Sequence, residues 1–399
     1  SVPGADAPPA GGDDAKALGD AYYRVHVAEG GGDAPAALCY WCFSPGLAVS
    51  ELLALGARSL LFASGTLSPL PSFAAELGLR KPSVLENPHV IDAATQLYAA
   101  VVGVAPSARP LKSTWAVRSR PEYKADLGAV VARVAAAVPR GGVLVFFPSY
   151  GAMDDALSAW KRTGVLDDIE RRSGKVVLSE PRKAADMKAV IRSFDAAVAP
   201  GGPGALLLAV CRGKVSEGMD FADDKCRCVV VTGLPYAPAK DRKVRGKRSF
   251  LDDKKRQNRD GLSGGAWYDQ QAARAVNQAL GRAIRHKGDF GAVLLCDERF
   301  ASPGKRAMLS KWIDDSLKTP ASFQEAEDGL RAFFRGNGLG GGAAVAEAKR
   351  EAKSAFVCSS RRGPDAPDPG KRDSGDAFDD IHQFMSRTRD DAKRGRSPP

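Results

Sequence analysis

Short apolar runs punctuate this 399-residue chain, five of which are Leu60–Ala63, Val143–Phe147, Leu206–Val210, Val229–Thr232 and Ala292–Cys296. Runs of this length that lack polar alternation read as strands buried on both faces, and here helix-length segments separate them. That pattern predicts an α/β fold built on a parallel sheet, with order from about Tyr22 to Phe334. A hydrophobic fraction of 44% is enough for a substantial core, and the length allows two or three domains. None of the runs approaches the roughly 20 apolar residues that a bilayer requires, so no membrane span is expected.

Lys and Arg outnumber Asp and Glu by 58 to 47, a formal charge of +11, which favours a polyanionic partner and nucleic acid first. Seven cysteines, an odd count without regular spacing, suggest a reducing compartment. Cys39 and Cys42 form a lone CxxC. No second pair or paired His follows, and Tyr40-Trp41 read as buried strand residues, so packing is preferred to metal binding and no metal ligands are assigned. Cys226 and Cys228 run into Val229–Thr232 and are read as strand packing. Residues 1–21, rich in Gly, Ala, Pro and Asp, are expected to be disordered, as is a basic tail over 336–399. Within that tail Phe378, Ile381, Phe384 and Met385 lie at helical spacing, either a short partner-binding helix or isolated apolar residues without a role. The chain opens Ser1-Val2-Pro3-Gly4 without Met, which suggests a fragment or an incomplete gene model.

Trp267 to His286 predicts one amphipathic helix capped at Gly288. Val276, Leu280 and Ile284 recur every four residues as a core ridge, while Gln271, Arg274, Gln278, Arg282 and Arg285 fall on the opposite side. No acidic residue lies between Gln270 and His286, although a solvated surface helix usually interleaves Glu with Arg. Such a face suits an anion; the alternative is an ordinary basic surface helix. Gly281 beside Arg282 permits either the close approach of a facing domain or tight internal packing.

Cys211–Phe221, CRGKVSEGMDF, directly follows the run Leu206–Val210. Ligands of parallel α/β sheets collect at the carboxyl ends of strands, so this loop occupies a natural site. Gly213 and Gly218 permit tight turns, Ser216 offers a hydroxyl, and Glu217 and Asp220 can fix cations or ribose hydroxyls. Lys240–Arg259 holds ten Lys or Arg against three Asp. It reads either as a solvated, partly flexible insertion or as a contact to a DNA backbone through Lys243, Arg245, Lys247 and Arg248.

Several of these segments resemble the XPD-like superfamily 2 DNA helicases in the family's own order. QxxGRxxR at Gln278, Arg282 and Arg285 is similar to motif VI, and CRGKVSEGMDF to motif V. Val143–Tyr150, VLVFFPSY, resembles motif IV, and Leu60–Pro69, LLFASGTLSP, the motif III region. Leu85–His89, Val229–Tyr236, Phe250-Leu251-Asp252 and Leu262-Ser263 before Trp267-Tyr268 resemble the telomere-elongation branch of the family more than its siblings. The match extends over about Tyr22 to Phe334.

The resemblance implies a RecA-like parallel sheet flanked by helices. Residues 22–70 would be the end of the first motor domain, and 71–335 the second, helicase C-terminal domain with motifs IV, V and VI. It implies ATP as substrate with Mg2+, catalytic roles for Arg282, Arg285 and Gln278, and nucleotide contacts from Gly213, Glu217, Gly218 and Asp220. Coupling would fall to Ser64, Gly65 and Thr66, and DNA contacts to Ser149, Tyr150 and Ser216, although Tyr150 has packing as an alternative. The chain contains no GxxxxGKT loop, no DEAH box and no four-cysteine cluster. The family implies a 4Fe–4S cluster whose ligands this sequence does not supply, and a first motor half as partner. DNA that is single-stranded, branched or structured, a nuclear location, genome and telomere maintenance, and replication or repair proteins at the tail complete these expectations. The alternative function is a catalytically incomplete DNA-binding fragment. A metabolic α/β enzyme is disfavoured, because no GxGxxG follows a strand-like apolar run as the dinucleotide fingerprint requires, and no Ser-His-Asp order is present.

Overall fold

Seven strands run parallel in the order β5-β6-β4-β7-β8-β3-β9. They are β3 (Leu97–Val101), β4 (Gly142–Phe147), β5 (Val176–Ser179), β6 (Ala205–Val210), β7 (Cys228–Val231), β8 (Gly291–Leu295) and β9 (Leu317–Lys318). This computed structural model describes residues 22–28, 35–64, 67–86, 89–257 and 261–339. The expectations placed on residues 1–21, on the tail cluster Phe378–Met385, and on Gly65 and Thr66 lie outside them.

Four of the five apolar runs form the sheet's centre, where β3, β4, β6, β7 and β8 are buried at every residue. Helices cover both faces, the RecA-like arrangement that the resemblance implies. On one face Val143, Val145, Phe147, Leu206, Leu208, Val230 and Leu294 pack against α3 (Pro121–Ala137), α4 (Tyr150–Arg162), α5 (Val165–Ser173) and α9 (Phe323–Gly336). Residues of the other parity meet α6 (Met187–Val198) and α8 (Gly264–Leu280). Cys226, Cys228 and Cys296 are fully buried in this sheet, as expected of packing residues. Burial pushes the Cys226 and Cys296 thiols up to about 12.

The fifth run behaves differently. Leu60–Ala63 forms no strand, and Leu61 is 94% exposed. A strand needs a neighbour to complete its backbone hydrogen bonds, and none of the described residues runs alongside this segment. Upstream, β1 (Tyr23–Ala28) and β2 (Ala37–Cys42) form an antiparallel pair separate from the main sheet, with Tyr23 opposite Cys42. Tyr40 therefore does lie in a strand but is exposed, its ring stacked on Tyr23 at 4.4 Å, and Trp41 is half-buried. Cys39 and Cys42 are three apart on β2, so their side chains leave opposite faces of the strand and cannot converge on one metal ion.

Phe43 seats this upstream segment on α7 (Arg242–Gln257), in a cluster with Phe250 and Leu251 and with Trp41 and Trp267 at its edge. Helices α1 (Gly46–Ala54) and α2 (Leu70–Glu76) follow, and Glu76 at the end of α2 reaches Lys247 at 3.4 Å and Arg274 at 3.1 Å. Among the described residues no helix is long and apolar enough to cross a membrane.

Candidate nucleotide and nucleic-acid site

The loop after β6 brings the three strongest sequence features together: it leaves the carboxyl end of the sheet beside Tyr150 and, on its way to the amino end of β7, meets the arginines that precede β8. Helix α8 does not run to His286 as its periodicity predicts. It stops at Leu280 with Gly281 as cap, and Arg282 N and Ala283 N bond three residues back to Ala279 O and Leu280 O. This tightened last turn lets Ala283 and Ile284 drop onto the sheet, where both are buried. The core ridge of Val276, Leu280 and Ile284 is thus retained, but Arg282 and Arg285 leave from an irregular segment rather than from a helix face. Asp289, fully buried, anchors that segment by accepting from Arg285 N at 3.1 Å while pairing with Arg227 at 2.9 Å.

Both guanidinium groups turn onto the loop after β6. Arg282 Nη1 donates to Met219 O and Nη2 to Ser216 O, each at 2.5 Å. Arg285 Nη2 donates to Met219 O at 3.1 Å, and its Nε pairs with Asp220 at 3.0 Å. Arg282 Nε is buried without a hydrogen-bond partner. Burial and then the adjacent Arg285 charge lower the Arg282 pKa from its ordinary value. An under-solvated cation with an unspent donor has capacity for one more acceptor. At Gly281 an added Cβ would meet nothing closer than Asn277 O at 3.5 Å, so packing within the chain does not require glycine there.

The loop itself contains a helical turn, Lys214–Gly218. Ser216 is fully buried and its hydroxyl donates to Gly213 O at 2.8 Å, so it supports the turn from inside. Glu217 and Gly218 are exposed, and Asp220 is 77% exposed beside Arg285. Glu180, at the end of β5, was not singled out by sequence reasoning, yet it organises this loop. It is 2% exposed and accepts from Val210 N at 3.0 Å, Lys214 N at 2.8 Å and the Tyr150 hydroxyl at 2.7 Å. An added Cβ at Gly213 would lie 2.5 Å from Glu180 Oε1, which gives the glycine its reason.

Motif IV is drawn into the same network. Ser149 caps α4, accepting from Ala152 N at 3.2 Å. Tyr150 points towards β5, with Lys214 Nζ 3.3 Å from its hydroxyl and the Arg182 guanidinium 5.2 Å from its ring centre. Burial, followed by the Glu180 hydrogen bond, raises its pKa well above the usual tyrosine value.

The basic stretch is mostly an ordered helix, α7, rather than a flexible insertion, and it divides its four named cations. Lys243 and Arg245 are exposed. Lys247 is buried: its Nζ donates to Phe43 O at 2.5 Å and lies by Glu76, and burial lowers its pKa from the ordinary value despite that carboxylate. Arg248 lies over the Tyr268 ring at 5.0 Å. Lys247 is therefore not available to DNA in this arrangement, because the upstream segment occupies its ammonium.

Asp223, His286 and Asp289 bring donor atoms within 4.8 Å of one another. All three already have partners, Asp289 with Arg227 and His286 with Asp223 at 3.0 Å, which makes this a charge network behind motif VI. The cysteines of the described residues do not gather into a ligand set for a 4Fe–4S cluster: Cys211, Cys226, Cys228 and Cys296 are buried, and Cys39 and Cys42 diverge.

Residues 131–316 match the helicase C-terminal domain family. Over 335 residues the chain is 44% identical to the regulator of telomere elongation helicase 1 homolog of Oryza sativa subsp. japonica, covering 79% of this chain and 33% of that protein. It is 45% identical over 302 residues to the Homo sapiens regulator of telomere elongation helicase 1, covering 75% of this chain and 24% of the human protein. A solved XPD helicase is 20% identical and aligns with a TM-score of 0.48 over 72% of this chain and 47% of that one. The chain thus spans about a third of the rice relative's length and about a quarter of the human one's.

Proposed function

We infer, from a chain that belongs with the XPD-like helicases, that it supplies the second motor domain of an ATP-dependent DNA helicase translocating 5′ to 3′. The observation that carries this reading is the joint between motifs VI and V. Arg282 and Arg285 hold Ser216 O, Met219 O and Asp220, while Arg282 Nε has no partner. Phosphoryl transfer spreads negative charge over the γ-phosphate oxygens, and a guanidinium fork can stabilise that charge bidentately.

In this account a facing motor half brings ATP and Mg2+ to the exposed edge of the joint, and Gly281 leaves room for its approach. The Arg282 and Arg285 guanidinium groups then exchange loop carbonyls for phosphate oxygens. Release of Met219 O and Ser216 O frees the loop after β6 to move, and Glu180 carries that movement to Tyr150 and the start of α4. Gln278 lies one turn before Gly281 and belongs to the same nucleotide edge. Glu217, Gly218 and Asp220 are the exposed loop residues that meet it, with Gly213 holding the turn. DNA runs along the carboxyl ends of β4 and β6 near Ser149 and is steered by the exposed Lys243 and Arg245. The biological setting is nuclear, in genome and telomere maintenance, repair and recombination control.

The test compares the 399-residue chain alone with the same chain joined to an upstream motor half bearing a phosphate-binding loop and a DEAH box. The chain alone should show no DNA-stimulated ATP hydrolysis, since the γ-phosphate, its Mg2+ and the attacking water lack their principal ligands. The joined enzyme should hydrolyse ATP and open duplexes carrying a 5′ single-stranded tail in preference to a 3′ tail. Turnover by the chain alone, or a preference for the 3′ tail, would contradict the reading.

A further inference from the structure

Beyond the loops named so far, the chain carries an exposed aromatic residue beside a half-buried cation at the edge of the same face. Trp115 begins a short helical turn, Trp115–Arg118, and is 81% exposed. The Arg118 guanidinium lies over its ring, 4.7 Å from the centre. Arg118 is only partly exposed, and among the described residues no carboxylate pairs with it and no acceptor takes a hydrogen bond from it. Burial lowers its pKa from the ordinary value, an effect that Asp155 then Tyr123 partly reverse. This cation is therefore under-solvated and lacks a close anionic partner.

Arg118 also lines a narrow cleft, open to solvent, at the carboxyl ends of β4 and β7. Its walls include Ser113, Lys124 and Asp155, with Pro148 and Thr232 at the strand ends, so two cations face one carboxylate. Pro148 is the residue before Ser149, the cap of α4, which makes the cleft continuous with motif IV but on the side away from Tyr150. A solvent-facing indole packed on a guanidinium offers the platform on which an unpaired base stacks, and that same guanidinium, without a paired carboxylate, suits a backbone phosphate beside the base.

We propose that Trp115 and Arg118, with the cleft that Lys124 and Pro148 line, form a subsite for single-stranded nucleic acid, in which the indole takes a base and the guanidinium a backbone phosphate. This subsite rests on the reading of the chain as a DNA motor domain and extends its contact surface from motif IV across β7. Duplex DNA keeps its bases stacked inside and gains little from Trp115, so the site discriminates single strands from duplex.

The test uses the 399-residue chain, a fluorescein-labelled single-stranded oligonucleotide and a duplex of the same length, with anisotropy titrations at several salt concentrations. Trp115→Ala should weaken single-strand binding on the order of tenfold with an unchanged salt slope, and should change duplex binding much less. Trp115→Phe should retain most of the affinity. Arg118→Ala should weaken binding and reduce the slope of log K against log salt by about 0.7, the contribution of one phosphate contact on a single strand. Trp115→Ala, at an exposed position, should leave thermal melting unchanged, and melting of Arg118→Ala measured beside it separates loss of a contact from loss of the fold. If the wild-type chain binds the oligonucleotide and both Ala variants bind it equally well, the subsite is overturned and the surface belongs to another class of partner, while the motor-domain reading stands. If the wild-type chain binds no single strand at all, both fail together.

Discussion

Glu180→Ala should destabilise the folded chain far more than the loss of one surface-proximal carboxylate would, and the structure sets the scale. The carboxylate takes three hydrogen bonds, two of them from backbone N–H groups of Val210 and Lys214. Val210 is 4% exposed, so its N–H becomes a buried, unsatisfied donor when the acceptor goes. Each such orphan costs about 1–3 kcal/mol, and part of the penalty at Lys214 is relieved because water can reach that end of the turn. The sum is about 3 kcal/mol, a large share of the roughly 5–15 kcal/mol that holds a typical domain together. Glu180→Gln keeps the shape but turns one acceptor into a donor facing an N–H group, and should cost about 1–2 kcal/mol. Urea unfolding followed by far-UV circular dichroism reads both as a lower midpoint with an unchanged slope. Gly213→Ala should also destabilise, and less so in the Glu180→Ala background, where the oxygen 2.5 Å from the new Cβ is gone. A Glu180→Ala midpoint within about 0.5 kcal/mol of wild type, or strict additivity with Gly213→Ala, would refute the reasoning.

Two further outcomes follow from burial and charge. Neutralising the exposed pair Lys243 and Arg245 to Ala should weaken DNA binding similarly for all sequences and flatten its salt dependence, whereas Lys247→Ala should leave the slope unchanged and lower the melting temperature, because its ammonium serves Phe43 O and Glu76. Mass-spectrometric mapping after iodoacetamide treatment at pH 8 should find Cys39 and Cys42 labelled in the native chain and Cys226 and Cys296 protected: burial holds the latter two thiols near 12, so thiolate is scarce until the pH rises through that value or the sheet unfolds.

Much of the sheet was legible because burial on both faces leaves a plain signature in sequence. Val143–Phe147, Leu206–Val210, Val229–Thr232 and Ala292–Cys296 all resolved into central strands. Leu60–Ala63 carries the same signature but has no neighbouring strand, and a composition-based reading does not know who the neighbour is. Strands β3 and β5 escaped notice for the opposite reason: Leu97–Val101 is rich in Ala, and Val176–Ser179 is short and only half-buried. The arginines of motif VI were visible as an anion-seeking set, yet the end of α8 was misplaced. The periodicity of Val276, Leu280 and Ile284 continues through a tightened turn that only backbone hydrogen bonds reveal. Glu180 was invisible because it lies 30 residues or more from each of its donors. Its one sequence trace is an acidic residue at a strand end, Ser179-Glu180-Pro181, where a parallel sheet gathers its ligands. Lys247 shows the limit of reading charge runs as surfaces, since a cation that faces inward looks no different in sequence from its neighbours.

The central claim is that Arg282 and Arg285 act on the transferring phosphoryl group and, between cycles, on the loop after β6. Steady-state ATP turnover by the joined enzyme, measured for Arg282→Ala, Arg282→Lys, Arg285→Ala and Arg285→Lys beside DNA affinity and thermal melting of the same samples, tests it most directly. Either Ala variant should lose about 10³-fold or more in kcat, and Lys should rescue poorly, because a point charge does not reproduce the two-pronged contact. The melting temperature should fall by a few degrees for Arg282→Ala, which strands Ser216 O and leaves Met219 O to Arg285 alone, with DNA affinity nearly unchanged. Near-normal kcat per folded enzyme for both Ala variants, with the loss confined to stability or DNA binding, would contradict the account.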